Sequence, residues 1–288
     1  MRRLIATATV MVLLLPASAA PLSQPERVTF PSQDGRTNLV GYVFKPTAPR
    51  GGRAPAIVMM HGRAGAYSSL ANGRYDANTL TRRHKEWGER WAAQGYLALL
   101  VDGFGPRGYP QGFPKGSYES RPAALDEVTV RPLDAYGALA YLRSRSDVAG
   151  DRIGLMGWSN GGSATLASLS TKAPGIRQPS ALTGFRAALA FYPGCGLRGQ
   201  FETDYMPYAP VHIFQGTADE EVSASLCDQF VQRSRQKRAD IAITLYPNAT
   251  HDFDDPGEKR QSVQANVIAN GEAATQALQF FSRYLQRR

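Results

Sequence analysis

Short apolar runs alternate with segments of helical periodicity over most of this chain of 288 residues. Continuous apolar runs of this length are typical of strands that are buried on both faces of a parallel sheet. Six runs are predicted as strands: Ala56–Met60, Tyr96–Val101, Arg152–Met156, Ala187–Tyr192, Val211–Phe214 and Ile241–Tyr246. The segments predicted as helices are Thr79–Gln94, Leu133–Leu142, Gly161–Thr171, Ser223–Arg233 and Glu272–Leu285. The alternation predicts an α/β protein, with helices on both faces of a mostly parallel sheet.

An antiparallel hairpin is predicted ahead of these strands. Arg27–Phe30 and Asn38–Phe44 flank Asp34-Gly35, a dipeptide that favours a tight turn. The predicted sheet therefore has eight strands, of which the first two are antiparallel. Neither an internal repeat nor a linker rich in Gly and Ser divides the chain, so residues 20–288 are predicted to form a single domain.

The first 19 residues have the layout of a secretory signal peptide. Two arginines precede an apolar run, Leu4–Pro16, and small residues follow it up to Ala19. A membrane anchor is the alternative, but the run is short for a helix that spans a bilayer. We therefore expect cleavage after Ala19, and export to the periplasm or the medium without a membrane attachment.

The formal net charge of +9 raises the question of an acidic partner. The Lys and Arg residues are scattered, apart from short clusters such as Arg233–Arg238, and no nucleic-acid-binding motif accompanies them. This distribution is typical of a solvated basic surface, so no nucleic-acid partner is expected. The sequence does not indicate the oligomeric state.

Gly157-Trp158-Ser159-Asn160-Gly161 has the pattern G-x-S-x-G and lies between a predicted strand and a predicted helix. In that context a sharp strand-to-helix turn exposes the serine hydroxyl, and the glycines avoid clashes at the turn. The first N–H groups of the helix and its positive dipole end can stabilise an oxyanion. Ser159 is therefore the predicted nucleophile.

A nucleophilic serine needs a histidine as its base. In chains with this strand–serine–helix turn, the triad follows the order Ser, acid, His, so the base must lie downstream of Ser159. His212 lies within a predicted strand and has no convincing acid between it and the serine. His251 follows the last strand, at the sheet edge where ligands bind in open α/β sheets, and is the predicted base.

The acid that orients His251 is expected after the penultimate strand. Asp219 ends the segment Gly-Thr-Ala-Asp directly after Val211–Phe214, where its carboxylate can hold the imidazole in the required tautomer. Glu220 and Glu221 are competing acids, and Asp219 would otherwise be a cap of the next helix. The position after the turn favours Asp219.

A second oxyanion donor is expected in the loop after the Ala56–Met60 strand. His61-Gly62-Arg63 occupies this position. The backbone N–H groups of Arg63 and Asn160 are the predicted pair of donors, and His61 is interpreted as a structural loop residue rather than a second base.

With these motifs the chain resembles the dienelactone hydrolase family of the α/β-hydrolase superfamily, in the exported branch that uses serine. The resemblance covers nearly the whole mature chain. It rests on six segments: residues 61–65, 101–108, 131–135, 157–162, 216–219 and 250–253. The namesake enzymes carry a cysteine nucleophile where this chain has Ser159. This difference favours hydrolysis of general carboxylic esters, with lactones as a further substrate class.

The resemblance implies an α/β-hydrolase fold and an acyl-enzyme on Ser159, formed from a small-molecule ester without a metal or an organic cofactor. A prolyl-type serine peptidase is one alternative, although relatives that cut after proline often carry a large N-terminal propeller. A catalytically inactive binding protein on the same fold is the other alternative. The complete, correctly ordered triad argues against it.

In one long segment the apolar residues follow neither the helical nor the strand periodicity. Asp102–Arg121 is rich in Gly, Pro and aromatic residues, and long loops of this kind are often functional. We predict that Gly103–Arg121 lines or covers the mouth of the active site, with Arg107 or Arg121 facing a substrate carboxylate. The apolar walls are expected from Phe104, Tyr109, Phe113 and Tyr118. The substrate-contacting candidates are Phe104, Arg107 and Trp158.

Cys195 and Cys227 are the only cysteines in the chain. Export would place them where disulfides persist, and each follows a strand near the predicted site. We therefore predict a disulfide between them. Two free buried cysteines, which behave as small hydrophobic residues, are the alternative.

Overall fold

The computed structural model describes residues 24–46, 52–201, 203 and 205–286, so the predicted signal peptide lies outside the described residues. Eight strands form one sheet in the order β1-β2-β4-β3-β5-β6-β7-β8. The strands are β1 Glu26–Pro31, β2 Asn38–Phe44, β3 Ala54–Met60, β4 Leu97–Asp102, β5 Val148–Trp158, β6 Ala188–Phe191, β7 Val211–Gly216 and β8 Ile241–Tyr246. Antiparallel pairing joins β1 to β2 and β2 to β4, and all other pairs are parallel. The predicted fold class is confirmed.

Each predicted helix is present. The α-helices are α1 Arg82–Ala93, α2 Arg131–Ser144, α3 Asn160–Leu169, α4 Ala224–Gln236, α5 Glu258–Gln261 and α6 Gln264–Leu285. The last of them begins at Gln264 rather than at Glu272. Its first turns bury Asn266 and Ala269 while Ile268 is exposed, and such a mixture hides the apolar stripe on which the prediction depended. No helix of the described residues is long and apolar enough to cross a membrane.

Two apolar cores lie on opposite faces of the sheet. Ala56, Val58 and Met60 of β3 belong to the core that α2, α3 and α4 cover, whereas Ile57 and Met59 belong to the core under α1 and α6. This alternation is the two-residue period of a strand that is buried on both faces. Complete burial of one such side chain contributes about 1.5–3 kcal/mol to folding.

The order of the strands determines where a site can form. After β3 the chain adds β4 on one side and then returns to add β5 on the other. The connections from β3 and from β5 therefore run in opposite directions, and ligands of open α/β sheets bind at the carboxyl ends of the strands at such a point. The loop that begins at His61 and the turn that contains Ser159 meet there.

Candidate active site

A strained turn presents Ser159 between β5 and α3. Its backbone has φ 51° and ψ −116°, a region that costs a non-glycine residue about 1–3 kcal/mol. A Cβ at Gly161 would lie 2.1 Å from the carbonyl oxygen of Met60, and one at Gly157 would lie 2.2 Å from the carbonyl oxygen of Gly161. Only glycine fits at these two positions, so the G-x-S-x-G pattern follows from close packing of the turn.

Three side chains from three separate loops meet in one hydrogen-bonded chain. The Nε2 atom of His251 lies 3.0 Å from Oγ of Ser159, and its Nδ1 atom lies 2.8 Å from Oδ2 of Asp219. Ser159 follows β5, Asp219 follows β7 and His251 follows β8. In the neutral imidazole, Nδ1–H donates to the carboxylate and Nε2 accepts from the hydroxyl.

The Asp219 carboxylate is held by residues that are close to it in sequence. Its Oδ1 atom accepts the backbone N–H groups of Glu221 and Val222 at 2.8 and 2.9 Å. Its Oδ2 atom accepts the side-chain amide of Gln215 at 2.9 Å. These contacts fix the oxygen that faces His251, so the imidazole is oriented by a group that is itself constrained.

The two competing acids have other partners. Glu220 accepts the backbone N–H of His251 at 3.0 Å and a guanidinium hydrogen of Arg260 at 2.8 Å. Burial raises the pKa of Glu220, but these hydrogen bonds outweigh burial and lower the pKa to about 2. Glu221 binds Arg63, with oxygen–nitrogen distances of 2.7 and 2.9 Å. Of the three consecutive acids, Asp219 is the one that reaches Nδ1.

Opposing effects set the pKa of His251, whose side chain is almost fully buried. Burial lowers the pKa, but the hydrogen bond to Asp219 and the charges of Asp252, Asp219 and Glu221 raise it more, so the net shift is upward. The imidazole ring packs against Tyr192, with ring centres 4.7 Å apart. The site therefore stabilises the imidazolium that forms when a base accepts a proton.

The two predicted oxyanion donors both lie next to Ser159. The N–H of Asn160 opens α3, and the Gly62–Arg63 segment abuts the serine, since a Cβ at Gly62 would lie 3.5 Å from Cβ of Ser159. Within the described part of the chain, neither the Arg63 nor the Asn160 N–H donates a hydrogen bond. Both amides are thus available to a ligand.

The early histidine has a structural environment. His61 is fully buried, its Nδ1–H donates to the carbonyl oxygen of Gly62 at 2.7 Å, and its Nε2 accepts the N–H of Gly103 at 3.3 Å. Burial and then the charge of Arg131 hold its pKa well below the ordinary value. A neutral His61 therefore ties the loop after β3 to the loop after β4.

A buried carboxylate that the sequence did not single out connects the nucleophile turn to the histidine loop. Asp254 lies three residues after His251, and its Oδ2 atom accepts the indole N–H groups of Trp87 and Trp158, each at 2.8 Å. Its Oδ1 atom accepts the hydroxyl of Tyr192. Its partners come from α1, β5 and the end of β6, so no local sequence signal reveals this role.

A first cavity of about 590 Å³ opens beside Ser159. The Gly194–Gly199 segment forms one wall, and Lys115, Tyr118 and Arg121 of the long loop form another. Arg121 stacks on the Tyr118 ring, 5.4 Å from its centre, and makes no ion pair with a described residue. The loop therefore lines the cavity with its second half.

The three residues predicted to contact substrate do not line this cavity. Phe104 is buried against His61, with ring centres 4.5 Å apart, and Trp158 is buried where it donates to Asp254. Arg107 binds carboxylates distant in sequence, Asp34 at 2.7 Å and both oxygens of Asp134 at 2.8 Å. We therefore withdraw Phe104, Arg107 and Trp158 as substrate contacts, because packing and ion pairing already occupy their side chains.

A disulfide joins Cys195 to Cys227, with Cα atoms 5.1 Å apart. Cys195 lies in the cavity wall after β6 and Cys227 lies on α4. The bridge therefore links the cavity wall to the helix that follows the Asp219 loop.

Three side chains near Ser159 have the spacing of metal ligands. Glu221, His251 and Asp252 each place one ligand atom within 4.8 Å of the others. Each has a protein partner already: Glu221 binds Arg63, His251 binds Asp219, and Asp252 binds Arg83 at 2.5 Å. These contacts compete with a cation for the same atoms.

This chain belongs to the dienelactone hydrolase family, whose sequence profile matches residues 39–285. A Bradyrhizobium protein named "Probable 2-oxo-3-(5-oxofuran-2-ylidene)propanoate lactonase" is 25% identical over 230 residues, which are 76% of this chain and 80% of that protein.

Two solved structures are similar in fold. The dienelactone hydrolase-like promiscuous phosphotriesterase P91, from metagenomic libraries, has a TM-score of 0.65 at 19% identity over 90% of this chain and 97% of that chain. Thermogutta terrifontis esterase 2, phosphorylated by paraoxon, has a TM-score of 0.60 at 17% identity over 93% and 97% of the two chains. At these identities the similarity supports the fold alone.

Proposed function

We propose that this protein is a serine hydrolase that cleaves carboxylic esters through an acyl-enzyme on Ser159. The observation that carries the proposal is the hydrogen-bonded chain from Ser159 through His251 to Asp219, with distances of 3.0 and 2.8 Å. Family membership supports it, and so does the name of the Bradyrhizobium relative as a lactonase. Lactones are the second substrate class.

In the proposed mechanism, His251 accepts the hydroxyl proton as Ser159 Oγ attacks the ester carbonyl carbon. The N–H groups of Arg63 and Asn160 stabilise the tetrahedral oxyanion, and one such donor is typically worth about 10²–10³ in kcat. The C–O bond to the alcohol breaks, and the leaving oxygen takes the proton from His251. Water, deprotonated by the same imidazole, then hydrolyses the acyl-enzyme and regenerates Ser159.

A fluorophosphonate probe tests the nucleophile without knowledge of the substrate. The wild-type protein should be labelled on Ser159 and should hydrolyse p-nitrophenyl esters, whereas Ser159→Ala should do neither. Absence of labelling in the wild type would favour the inactive binding protein. Faster cleavage of aminoacyl-proline anilides than of esters would favour the peptidase.

We also propose that the chain is exported after cleavage at Ala19, and that residues 20–288 form one domain. The A-x-A ending supports the cleavage site, and the Cys195–Cys227 disulfide is compatible with an oxidising compartment. Mass spectrometry of the exported protein should find an N-terminus at or near Ala20. A mature chain that still begins with Met1 would refute the export proposal.

A further inference from the structure

Ser159 stands between two cavities of similar volume. The first cavity, described above, has about 590 Å³, and a second cavity of about 580 Å³ lies on the other side of the serine. Among the described residues, Ser159 and Arg63 are the two that line both. The Arg63 guanidinium binds both carboxylate oxygens of Glu221, so this ion pair stands at the boundary between the cavities.

The two cavities reach different catalytic groups. Asn160, which carries one proposed oxyanion donor, lines the first cavity, and His251 lines the second. In acyl transfer the leaving oxygen takes its proton from the histidine. The alcohol half of an ester must therefore lie on the His251 side, in the second cavity. The acid half then extends past Asn160 into the first.

From this arrangement we infer that the substrate is an open-chain carboxylic ester with a sizeable group on both halves, the acid group in the first cavity and the alcohol group in the second. The inference rests on the proposed function. A small lactone joins its two halves in one ring, and such a ring cannot extend into cavities on both sides of the Arg63–Glu221 pair. The structure therefore favours open-chain esters over small lactones.

Part of the wall of each cavity is apolar or aromatic. Leu197, Val222 and Leu226 give the first cavity an apolar wall, and Tyr67 and Phe113 line the second. Apolar and aromatic side chains of this kind gain free energy from each ring that they remove from water. An arylalkyl acid and a benzyl alcohol are therefore suitable probes of the two halves.

Four unactivated substrates separate the contributions of the halves. Benzyl acetate fills the second cavity alone, methyl hydrocinnamate fills the first alone, benzyl hydrocinnamate fills both, and δ-valerolactone fills neither. Acid release by the purified full chain is followed at constant pH. We expect kcat/KM for benzyl hydrocinnamate to exceed that for either one-sided ester by about tenfold, with the lactone lowest.

Tryptophan substitutions assign each half to its cavity. Leu226→Trp, at a partly exposed position in the first cavity, should lower kcat/KM for both hydrocinnamates by about tenfold and leave benzyl acetate unchanged. Ser69→Trp, in the second cavity, should lower kcat/KM for both benzyl esters and leave that for methyl hydrocinnamate unchanged. Lys115→Trp and Gln111→Trp are replicate variants of the first and second cavity. Leu182→Trp is the matched control, because Leu182 is 86% exposed and lines neither cavity.

The outcomes separate this inference from the proposed function. Tryptophan effects that are equal for all esters, or reversed between the cavities, would overturn the assignment, as would a δ-valerolactone rate above that of benzyl hydrocinnamate. A wild-type protein that the fluorophosphonate labels, but that hydrolyses none of the esters, would refute the substrate class alone. A protein that is neither labelled nor active would refute the proposed function, and this inference with it.

Discussion

Loss of the Cys195–Cys227 disulfide should destabilise the fold by an amount that follows from its loop length. The bridge joins residues 32 positions apart. In the chain-entropy relation a loop of that length corresponds to about 3.7 kcal/mol at 25 °C, because the cross-link removes conformations from the unfolded chain. For a domain of this size, such a loss lowers Tm by about 7–15 °C. We therefore expect that a Cys195→Ala/Cys227→Ala variant still folds but unfolds at a lower temperature than the wild type.

The same variant should lose some activity. Cys195 lies in the Gly194–Gly199 wall of the first cavity, and without the bridge this wall is no longer joined to α4. Other contacts still hold the wall. Oγ of Ser163 accepts the Gly194 N–H at 2.9 Å and donates to its carbonyl oxygen at 3.3 Å, and Arg198 binds Asp126 at 2.7 Å. We therefore expect kcat/KM to fall by no more than about tenfold, less than a displaced catalytic group would cost.

Urea unfolding, followed by circular dichroism with and without dithiothreitol, measures the effect. The wild type in dithiothreitol should match the double variant, and the double variant should not respond to the reductant. A double variant whose unfolding free energy lies within about 1 kcal/mol of the wild type would refute the entropic reasoning. Two reactive thiols in the denatured, unreduced wild type would show that the bridge does not form.

Three further substitutions test the site. Ser159→Ala should lower kcat for esters by about 10⁶-fold with an unchanged circular dichroism spectrum, and near-wild-type turnover would exclude Ser159 as the nucleophile. Because the neutral imidazole is the base and the pKa of His251 is raised, esterase activity should fall with decreasing pH through a pKa above 6.5. Asp219→Asn should lower kcat by about 10⁴-fold and shift this acid-side fall in activity to lower pH. A fall in activity at the same pH as in the wild type would contradict the role of Asp219. Arg121→Gln should lower kcat/KM about tenfold for a carboxylate-bearing ester, and equal losses on a neutral ester would contradict charge recognition.

The proposed catalytic residues could be placed together from the sequence because parallel strands have their carboxyl ends at one edge of the sheet. Because a strand was predicted before each of Ser159, Asp219 and His251, all three residues were expected at that edge. The G-x-S-x-G pattern between a strand and a helix identified the serine among them. What remained open was which of three consecutive acids faces the imidazole. The loop that follows β7 decides this through hydrogen bonds between residues only a few positions apart.

The side-chain contacts of the long loop, Gly103–Arg121, could not be predicted from the sequence. Its location at the site was predictable from the strand that it leaves, but the direction of each side chain was not. Arg107 binds Asp34 and Asp134, which lie in other parts of the chain, and Phe104 fills the space next to His61. Long-range packing partners of this kind leave no local signal. The sequence therefore could not distinguish Lys115, Tyr118 and Arg121, which line the first cavity, from the loop residues that are packed elsewhere.

The acids around the histidine explain why arginines also lie nearby. Acidic side chains crowd the His251 loop: Asp219, Glu220, Glu221, Asp252 and Asp254. The charges of Asp252, Asp219 and Glu221 raise the pKa of His251, and an arginine that binds a carboxylate offsets part of its charge. Arg63, Arg83 and Arg260 each bind one or more of these acids. Asp219 makes no such pair among the described residues, so the arginines leave the acid that orients His251 as the carboxylate that acts on it most directly.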